Sequence, residues 1–282
     1  MRIYRSKPVV EEEIVLLKNK VIQLKKRGIM PNIKTVFVGN DPASNTYSKQ
    51  KQKFANQLGI RLTILHLPHE TDTETLYHKI QELNHDDDVD GIMIEMPLPA
   101  HIDRKKIVLA IDPNKDCDAI HPAHLGNLLT YSPSRIPNTP LAAIKLLEYY
   151  QTEFQGKKAV MVGRSAIVGK PLAELLLQKE CTVTLCHTKT ENLAELTRTA
   201  DILCVAIGKP EFITADMVNP NAIVIDIGIN FNDKGKLVGD VKFDEVAAKV
   251  KGISPVPGGV GPLTNVMLFK QFVEKLEVES ND

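Results

Sequence analysis

Near the start of the chain, apolar residues recur at alternating intervals of four and three. Val10, Ile14, Leu17, Val21 and Leu24 form one stripe, which predicts a long helix ending at Gly28. Short apolar runs follow at Thr35–Val38, Ile60–Leu67 and Val89–Glu95, with a helical run at Thr73–Leu83. The turn Gly39-Asn40-Asp41-Pro42 leads into a helix that Ser44 is placed to cap. The third strand runs into Met96-Pro97-Leu98-Pro99, where two prolines bar a continuing ladder. Thr139-Pro140 opens a helix to about Tyr150. Beyond it, strands and helices alternate. Strands are expected at Ala159–Val162, Thr182–Cys186, Asp201–Ile207 and Ala222–Ile227. Helices are expected from Pro171 to about Lys179, from about Glu191, and at Leu263–Leu276. The tail from Glu277 to Asp282 is expected to fray. Such alternation predicts an α/β protein.

The stretch from Gly156 to Thr190 carries the clearest chemistry. Its first strand stops at Gly163, a loop holds Ser165 and Gly169, and a helix and second strand follow. This is a strand–turn–helix–strand unit with a dinucleotide fingerprint, spaced G-x-S-x-x-x-G instead of G-x-G-x-x-G. Backbone N–H groups at a glycine-lined helix start can approach a pyrophosphate. The bland alternative is an ordinary strand–helix turn. The end of the second strand bears on the choice of cofactor. An NAD site places Asp or Glu there to accept from the ribose 2′-OH. Here His187, Thr188, Lys189 and Thr190 stand in that place, with Arg164 after the first glycine. No acid opposes a 2′-phosphate, so NADP is favoured over NAD.

At 282 residues the chain is long enough for two domains. Lys plus Arg and Asp plus Glu both number 35, so near-neutral charge gives no reason to expect nucleic acid or an acidic membrane as partner. The opening MRIYRSKPVVEEE lacks an apolar leader core, and a soluble, cytoplasmic protein is expected. Cys117, Cys181, Cys186 and Cys204 form no C-x-x-C pair, and no metal site is expected.

Tyr47 and Lys51 stand four apart on one helical face. Spacing alone favours a plain exposed pair. A short-chain dehydrogenase pair would follow the dinucleotide unit, whereas this one precedes it. The other chemical reading is a ring-stacking tyrosine with a catalytic lysine on a separate substrate domain. Glu95 ends the Val89 strand, where open α/β sheets place ligands, and Lys115-Asp116-Cys117-Asp118 follows a short helix. Five segments then occur in order: DPASNTYSKQK, DGIMIEMPLPAHID, PNKDCDAIHP, GRSAIVGKP and PVPGGVGPLT. Together they closely resemble the methylenetetrahydrofolate dehydrogenase/cyclohydrolase family over nearly the whole chain.

The resemblance implies two domains with an active-site cleft between them. Residues 1–138 plus 266–282 would form the folate-binding catalytic domain and 139–265 the Rossmann-like NADP-binding domain. Tyr47 would lie against the folate rings, Lys51 would be the catalytic lysine, and Asp118 would bond the pterin edge. Pro257, Gly258 and Gly259 would sit in a loop lining the folate pocket. Gly163, Arg164, Ser165, Ile167, Gly169, His187, Thr188, Lys189 and Ile229 would hold the cofactor. The implied reaction is NADP-dependent oxidation of methylenetetrahydrofolate to the methenyl form, then hydrolysis to formyltetrahydrofolate. A homodimer is implied as well.

Three departures fall on pocket-lining segments. Glu95 replaces the family's usual Gln, which is thought to position the lysine, chiefly for hydrolysis. Ala119 replaces a Gly. Pro137-Asn138-Thr139-Pro140-Leu141-Ala142 replaces Pro-Cys-Thr-Pro-x-Gly. A carboxylate at position 95 favours the ammonium form of Lys51 and weakens it as a base. The dehydrogenase is therefore expected to survive and the cyclohydrolase to weaken. Two other outcomes stay open: Glu95 serving as the base, or a site that tolerates either residue. A folate- or nucleotide-binding protein with little turnover, or an oxidoreductase for another pterin, are the alternatives to that function. Asp240 could be functional, but a turn acid is the better reading.

Overall fold

The computed structural model describes residues 1–132 and 135–280, apart from the side chains at positions 42, 43, 44 and 46. In chain order the first elements are β1 (Arg2–Ile3), α1 (Lys7–Lys26), β2 (Asn32–Val38), α2 (Pro42–Leu58), β3 (Arg61–Leu67), α3 (Thr73–His85), β4 (Gly91–Ile94), α4 (Arg104–Ala110) and α5 (Pro122–Leu129). Then come α6 (Asn138–Tyr149), β5 (Lys158–Val162), α7 (Gly169–Gln178), β6 (Thr182–Cys186), α8 (Leu193–Arg198), β7 (Ile202–Val205) and β8 (Ile223–Asp226). The chain closes with β9 (Asn230–Phe231), β10 (Leu237–Val238), α9 (Phe243–Ala247), β11 (Gly252–Ile253) and α10 (Val260–Glu279). Two compact units result: residues 1–11 with 136–267, and residues 12–135 with 268–282.

The unit holding residues 136–267 is built on a six-stranded parallel sheet in the order β1-β11-β8-β7-β5-β6. The central strands β7 and β8 are buried at every position, as a sheet covered on both faces requires, whereas the edge strand β6 is mostly exposed. Val162 pairs with Cys186 and Val205, and Val205 with Asp226, so the carboxyl ends of β5 to β8 align along one edge. The first residues are expected in the folate-binding domain, as part of 1–138. Here β1 instead extends this sheet beside β11, with Arg2 and Tyr4 N–H groups donating to Lys251 and Ile253 carbonyls at 2.8 Å. Two-residue strands carry no periodicity, so only the partner strand reveals them.

In the other unit, β3-β2-β4 form a parallel sheet packed by Leu76, Ile80, Ile92 and Ile107. Strand β2 begins at Asn32, three residues before the expected apolar run. Its first residue is polar and buried. Asn32 donates through its backbone to Asp90 at 2.8 Å, which patterning alone does not show. Helix α2 begins at Pro42, two residues ahead of the expected Ser44 cap, whose side chain lies outside those described. Helix α10 continues to Glu279, past the expected frayed start at Glu277, because Lys20 Nζ holds Glu277 at 2.6 Å and Phe269 packs edge-on against Phe54. Residues 281 and 282 of that expected tail lie outside the described chain.

Candidate active site

Strand β4 ends at Ile94, and the Glu95 N–H continues the ladder to Val36 O at 2.9 Å. Glu95 is thereby fixed at the carboxyl end of the sheet. From α2, Lys51 points back to it. Lys51 Nζ donates to Glu95 Oε1 at 3.1 Å and Oε2 at 2.9 Å. Both residues are only 7% exposed. Tyr47, one turn earlier, is 42% exposed, and Lys51 Nζ stands 5.0 Å from its ring centroid. The pair that spacing reads as plainly exposed is thus split into a buried cation and an accessible ring. Burial alone would lower the Lys51 pKa. The Asp118 and Glu95 carboxylates outweigh it, and the pKa lies above the ordinary lysine value.

Asp118 acts on that charge from the loop after Cys117. The loop is set by Asp116, buried beneath it, whose carboxylate accepts the Asp118 N–H at 3.1 Å and the His121 N–H at 2.8 Å. Arg135 Nη1 donates to the Asp116 carbonyl at 2.6 Å. Sequence reasoning does not single out Asp116 or Arg135. Asp116 is signalled only as the first acid of the K-D-x-D run, and Arg135, 17 residues beyond Asp118, has no local signal. Ala119 sits at φ 53, in the left-handed region where glycine is at ease. The family's usual glycine answers a backbone need that Ala119 meets under strain.

In the sheet-bearing unit, the glycine turn lies at the aligned carboxyl edge. A Cβ on Gly163 would come 2.2 Å from Ala206 O, and one on Gly169 would come 2.1 Å from Gly163 O. These glycines let β5, β7 and α7 pack together, so their first duty is steric. Ser165 Oγ accepts from the Val168 and Gly169 N–H groups at 3.2 and 3.3 Å, closing its own turn. Beside this turn lies a cleft of about 210 Å³. Of the expected cofactor residues, Gly163, Arg164, His187 and Thr188 line it. Ser165, Ile167, Gly169, Lys189 and Ile229 do not. Ile167 and Ile229 are exposed, and Lys189 sits in a turn where its N–H donates to His187 Nδ1 at 3.1 Å. Leu193, Ile207, Lys209 and Phe212 also line the cleft, and Lys209 Nζ stands 5.1 Å from the Phe212 ring centroid. Gly208-Lys209-Pro210 after a buried strand signals the lysine. Nothing in the local pattern signals Phe212. None of the residues lining the cleft carries a carboxylate, which suits an anionic ligand.

Asp240 is no solvated turn acid. It is fully buried and accepts four hydrogen bonds, from the N–H groups of Ile207, Gly208 and Lys209 and from Asn230 Nδ2. Burial pushes the neighbouring Asp226 up to about 7, against the lowering effect of the N–H groups of Asp240 and Val241. In the same unit, Pro257 follows a cis peptide bond, Gly258 has φ 98, and the Gly258 carbonyl accepts from the Ser6 N–H at 2.9 Å. A Cβ on Gly259 would come 2.5 Å from Pro255 O. The four cysteines are all buried, and burial pushes the Cys117 and Cys204 thiols up to about 12. Among the described residues, no group of three or more His, Cys, Asp or Glu side chains could hold a metal ion, and no helix is long and apolar enough to cross a membrane.

A parallel sheet with a glycine turn and a carboxylate-free cleft at its carboxyl edge defines a nucleotide-binding α/β protein, here joined to a second unit bearing a buried lysine–carboxylate pair. Residues 5–118 match the family model described as tetrahydrofolate dehydrogenase/cyclohydrolase, catalytic domain. Residues 137–280 match that for the NAD(P)-binding domain of the same proteins. The chain belongs to the tetrahydrofolate dehydrogenase/cyclohydrolase family. It is 48% identical over 258 residues to the bifunctional protein FolD of Enterococcus faecalis, covering 92% of each chain. Over 272 residues it is 43% identical to that of Bacillus anthracis, covering 96% of this chain and 95% of the relative. Among solved structures, the bifunctional FolD enzyme of Campylobacter jejuni superposes with TM-score 0.97 at 41% identity, covering 99% of both chains. The Trypanosoma brucei enzyme, complexed with NADP cofactor and inhibitor, gives 0.94 at 32% identity, covering 100% of this chain and 99% of that one.

Proposed function

We propose that this chain is an NADP-dependent methylenetetrahydrofolate dehydrogenase of one-carbon folate metabolism whose cyclohydrolase step is weakened by Glu95. It oxidises 5,10-methylenetetrahydrofolate to 5,10-methenyltetrahydrofolate. The observation that carries this reading is the buried Lys51–Glu95 pair beside the exposed Tyr47 ring, within the segment that matches the family's catalytic domain.

NADP, when bound, supplies the acceptor for the hydride that leaves the methylene carbon. Gly163, Arg164, His187 and Thr188 line the cleft that would hold it, Ser165, Ile167, Gly169, Lys189 and Ile229 would contribute from outside that lining, and Arg164 and Lys189 would offer cations to the 2′-phosphate. Tyr47 stacks on the folate rings, Asp118 bonds the pterin edge, and Pro257, Gly258 and Gly259 line the folate pocket. Hydride transfer needs no base at its chemical step, only close and aligned reacting carbons. The Glu95 carboxylate holds Lys51 as an ammonium, which cannot take a proton from the water that would hydrolyse the methenyl cation. Neutral overall charge and family resemblance support a cytoplasmic homodimer with no nucleic-acid partner.

The deciding assay mixes purified protein with methylenetetrahydrofolate and NADP, then NAD, and follows reduced cofactor and methenyl absorbance separately. The reading requires reduced cofactor together with methenyl product that decays only at the buffer rate. Reduced cofactor without methenyl build-up means both steps run. Neither signal with either cofactor overturns the enzyme reading in favour of a binding protein.

A further inference from the structure

Asp226 and Asp240 lie outside every motif that carries the family resemblance, yet both are buried and every carboxylate oxygen is engaged. Asp226 ends β8. Its Oδ1 accepts the Gly228 N–H at 3.1 Å and the Asp240 N–H at 2.9 Å, and its Oδ2 accepts the Val241 N–H at 2.9 Å. It therefore fixes the backbone that carries Asp240. Asp240 in turn reaches the segment after β7. Its Oδ2 accepts the N–H groups of Ile207 at 2.6 Å and Gly208 at 3.2 Å, and its Oδ1 accepts that of Lys209 at 2.7 Å. Asn230 Nδ2 adds a fourth bond to Oδ1 at 2.9 Å. The packing leaves no slack: a Cβ on Gly228 would fall 2.3 Å from Asp240 Cγ, and one on Gly239 would fall 1.8 Å from Asp226 Oδ2.

Ile207 and Lys209 line the 210 Å³ cleft, and Asp240 does not. Three successive N–H groups aimed at one carboxylate define the path of that wall. A carboxylate is the side chain suited to this, because it accepts at both oxygens and donates at neither. We propose that Asp240, itself held by Asp226, is a positioning residue that fixes the Ile207–Lys209 wall and thereby sets the affinity for the dinucleotide. The proposal rests on the cleft being the NADP site.

The test is Asp240→Asn, which keeps the shape but turns one acceptor into a donor facing N–H groups. Calorimetric titration of NADP onto wild type and variant, without folate, is set beside the kinetic constants. The expected result is NADP affinity weakened by about tenfold or more, KM for NADP raised to match, and KM for methylenetetrahydrofolate within about twofold. Saturating NADP should restore kcat to near wild type. Asn230→Ala, which removes a single donor, should move NADP affinity the same way by a smaller factor, and it carries the test alone if Asp240→Asn does not fold. Unchanged NADP affinity in the folded variants overturns the proposal. So does a loss in which both KM values rise and kcat falls with thermal stability, which is a general structural role. Failure of wild type to bind NADP overturns the reading of the cleft instead.

Discussion

Lys51 Nζ is held by both carboxylate oxygens of Glu95, at 2.9 and 3.1 Å, with each residue 7% exposed. The Lys51 pKa lies above the ordinary lysine value, so Lys51 is a cation near neutral pH. Under the proposed function, the consequence falls on proton transfer and leaves hydride transfer largely alone.

Glu95→Gln tests that consequence. Removing one carboxylate lowers the Lys51 pKa, so more neutral amine is present at any given pH. Cyclohydrolase activity should rise by roughly tenfold or more, within the range that a positioned general base contributes. The alkaline rise of its pH–rate profile should move to lower pH. Dehydrogenase kcat should stay within about threefold, since its step needs alignment more than a base. A hydrolase rate that falls would make Glu95 the base, and one that does not change would mean the site tolerates both residues.

The same pair makes a prediction about stability. Removing one member of a buried ion pair leaves an uncompensated charge and costs about 3–5 kcal/mol. Lys51→Met should lower urea stability by about that much, and Lys51→Met with Glu95→Leu should recover most of it. The pH dependence has a definite sign. The folded pKa of Lys51 lies above its unfolded value, so its contribution is fully present below the ordinary lysine pKa and is lost as pH rises through the raised value. Alkaline unfolding of wild type, compared with the double variant, reads this directly.

Ala119 occupies a backbone conformation that costs an L-residue about 1–2 kcal/mol. Ala119→Gly should therefore raise the stability of the folded protein by roughly 1 kcal/mol, somewhat offset by the greater freedom of glycine when unfolded. Thermal and urea unfolding measure it. Destabilisation would show that the alanine methyl packs well enough to outweigh the strain.

The proposed choice of NADP follows from a cleft lined by Arg164 and by no carboxylate. Arg164→Ala should raise KM for NADP by about tenfold or more, the worth of a charge-assisted bond to phosphate, while KM for NAD moves by less than about threefold. Lys189→Ala should act in the same direction and more weakly, because Lys189 does not line the cleft. The ratio of kcat/KM for the two cofactors is the readout, and an equal loss with both would remove Arg164 from 2′-phosphate recognition.

The sequence by itself determined the alternation of strands and helices, because core strands such as Ala159–Val162 and Ala222–Ile227 are largely apolar runs that stop at glycine. It also determined the glycine turn and the substitution at position 95, since both are local facts of residue type and order. Tertiary structure alone decided which of these residues meet. Tyr47 and Lys51 look alike on a helical wheel, and only the fold, which brings Glu95 from the end of β4 to Lys51, buries one and leaves the other accessible. Strand β1 is legible only once β11 lies beside it. Asp240 follows a turn and looks solvated, yet the crossing of the segments after β7 and β8 surrounds it with donors. Periodicity and turn chemistry act over a few residues and are written in the chain. Burial and ion pairing depend on groups far apart in sequence, 44 residues for Lys51 and Glu95 and 31 to 33 for Asp240 and the N–H groups of Ile207 to Lys209, and exist only when the fold brings them together.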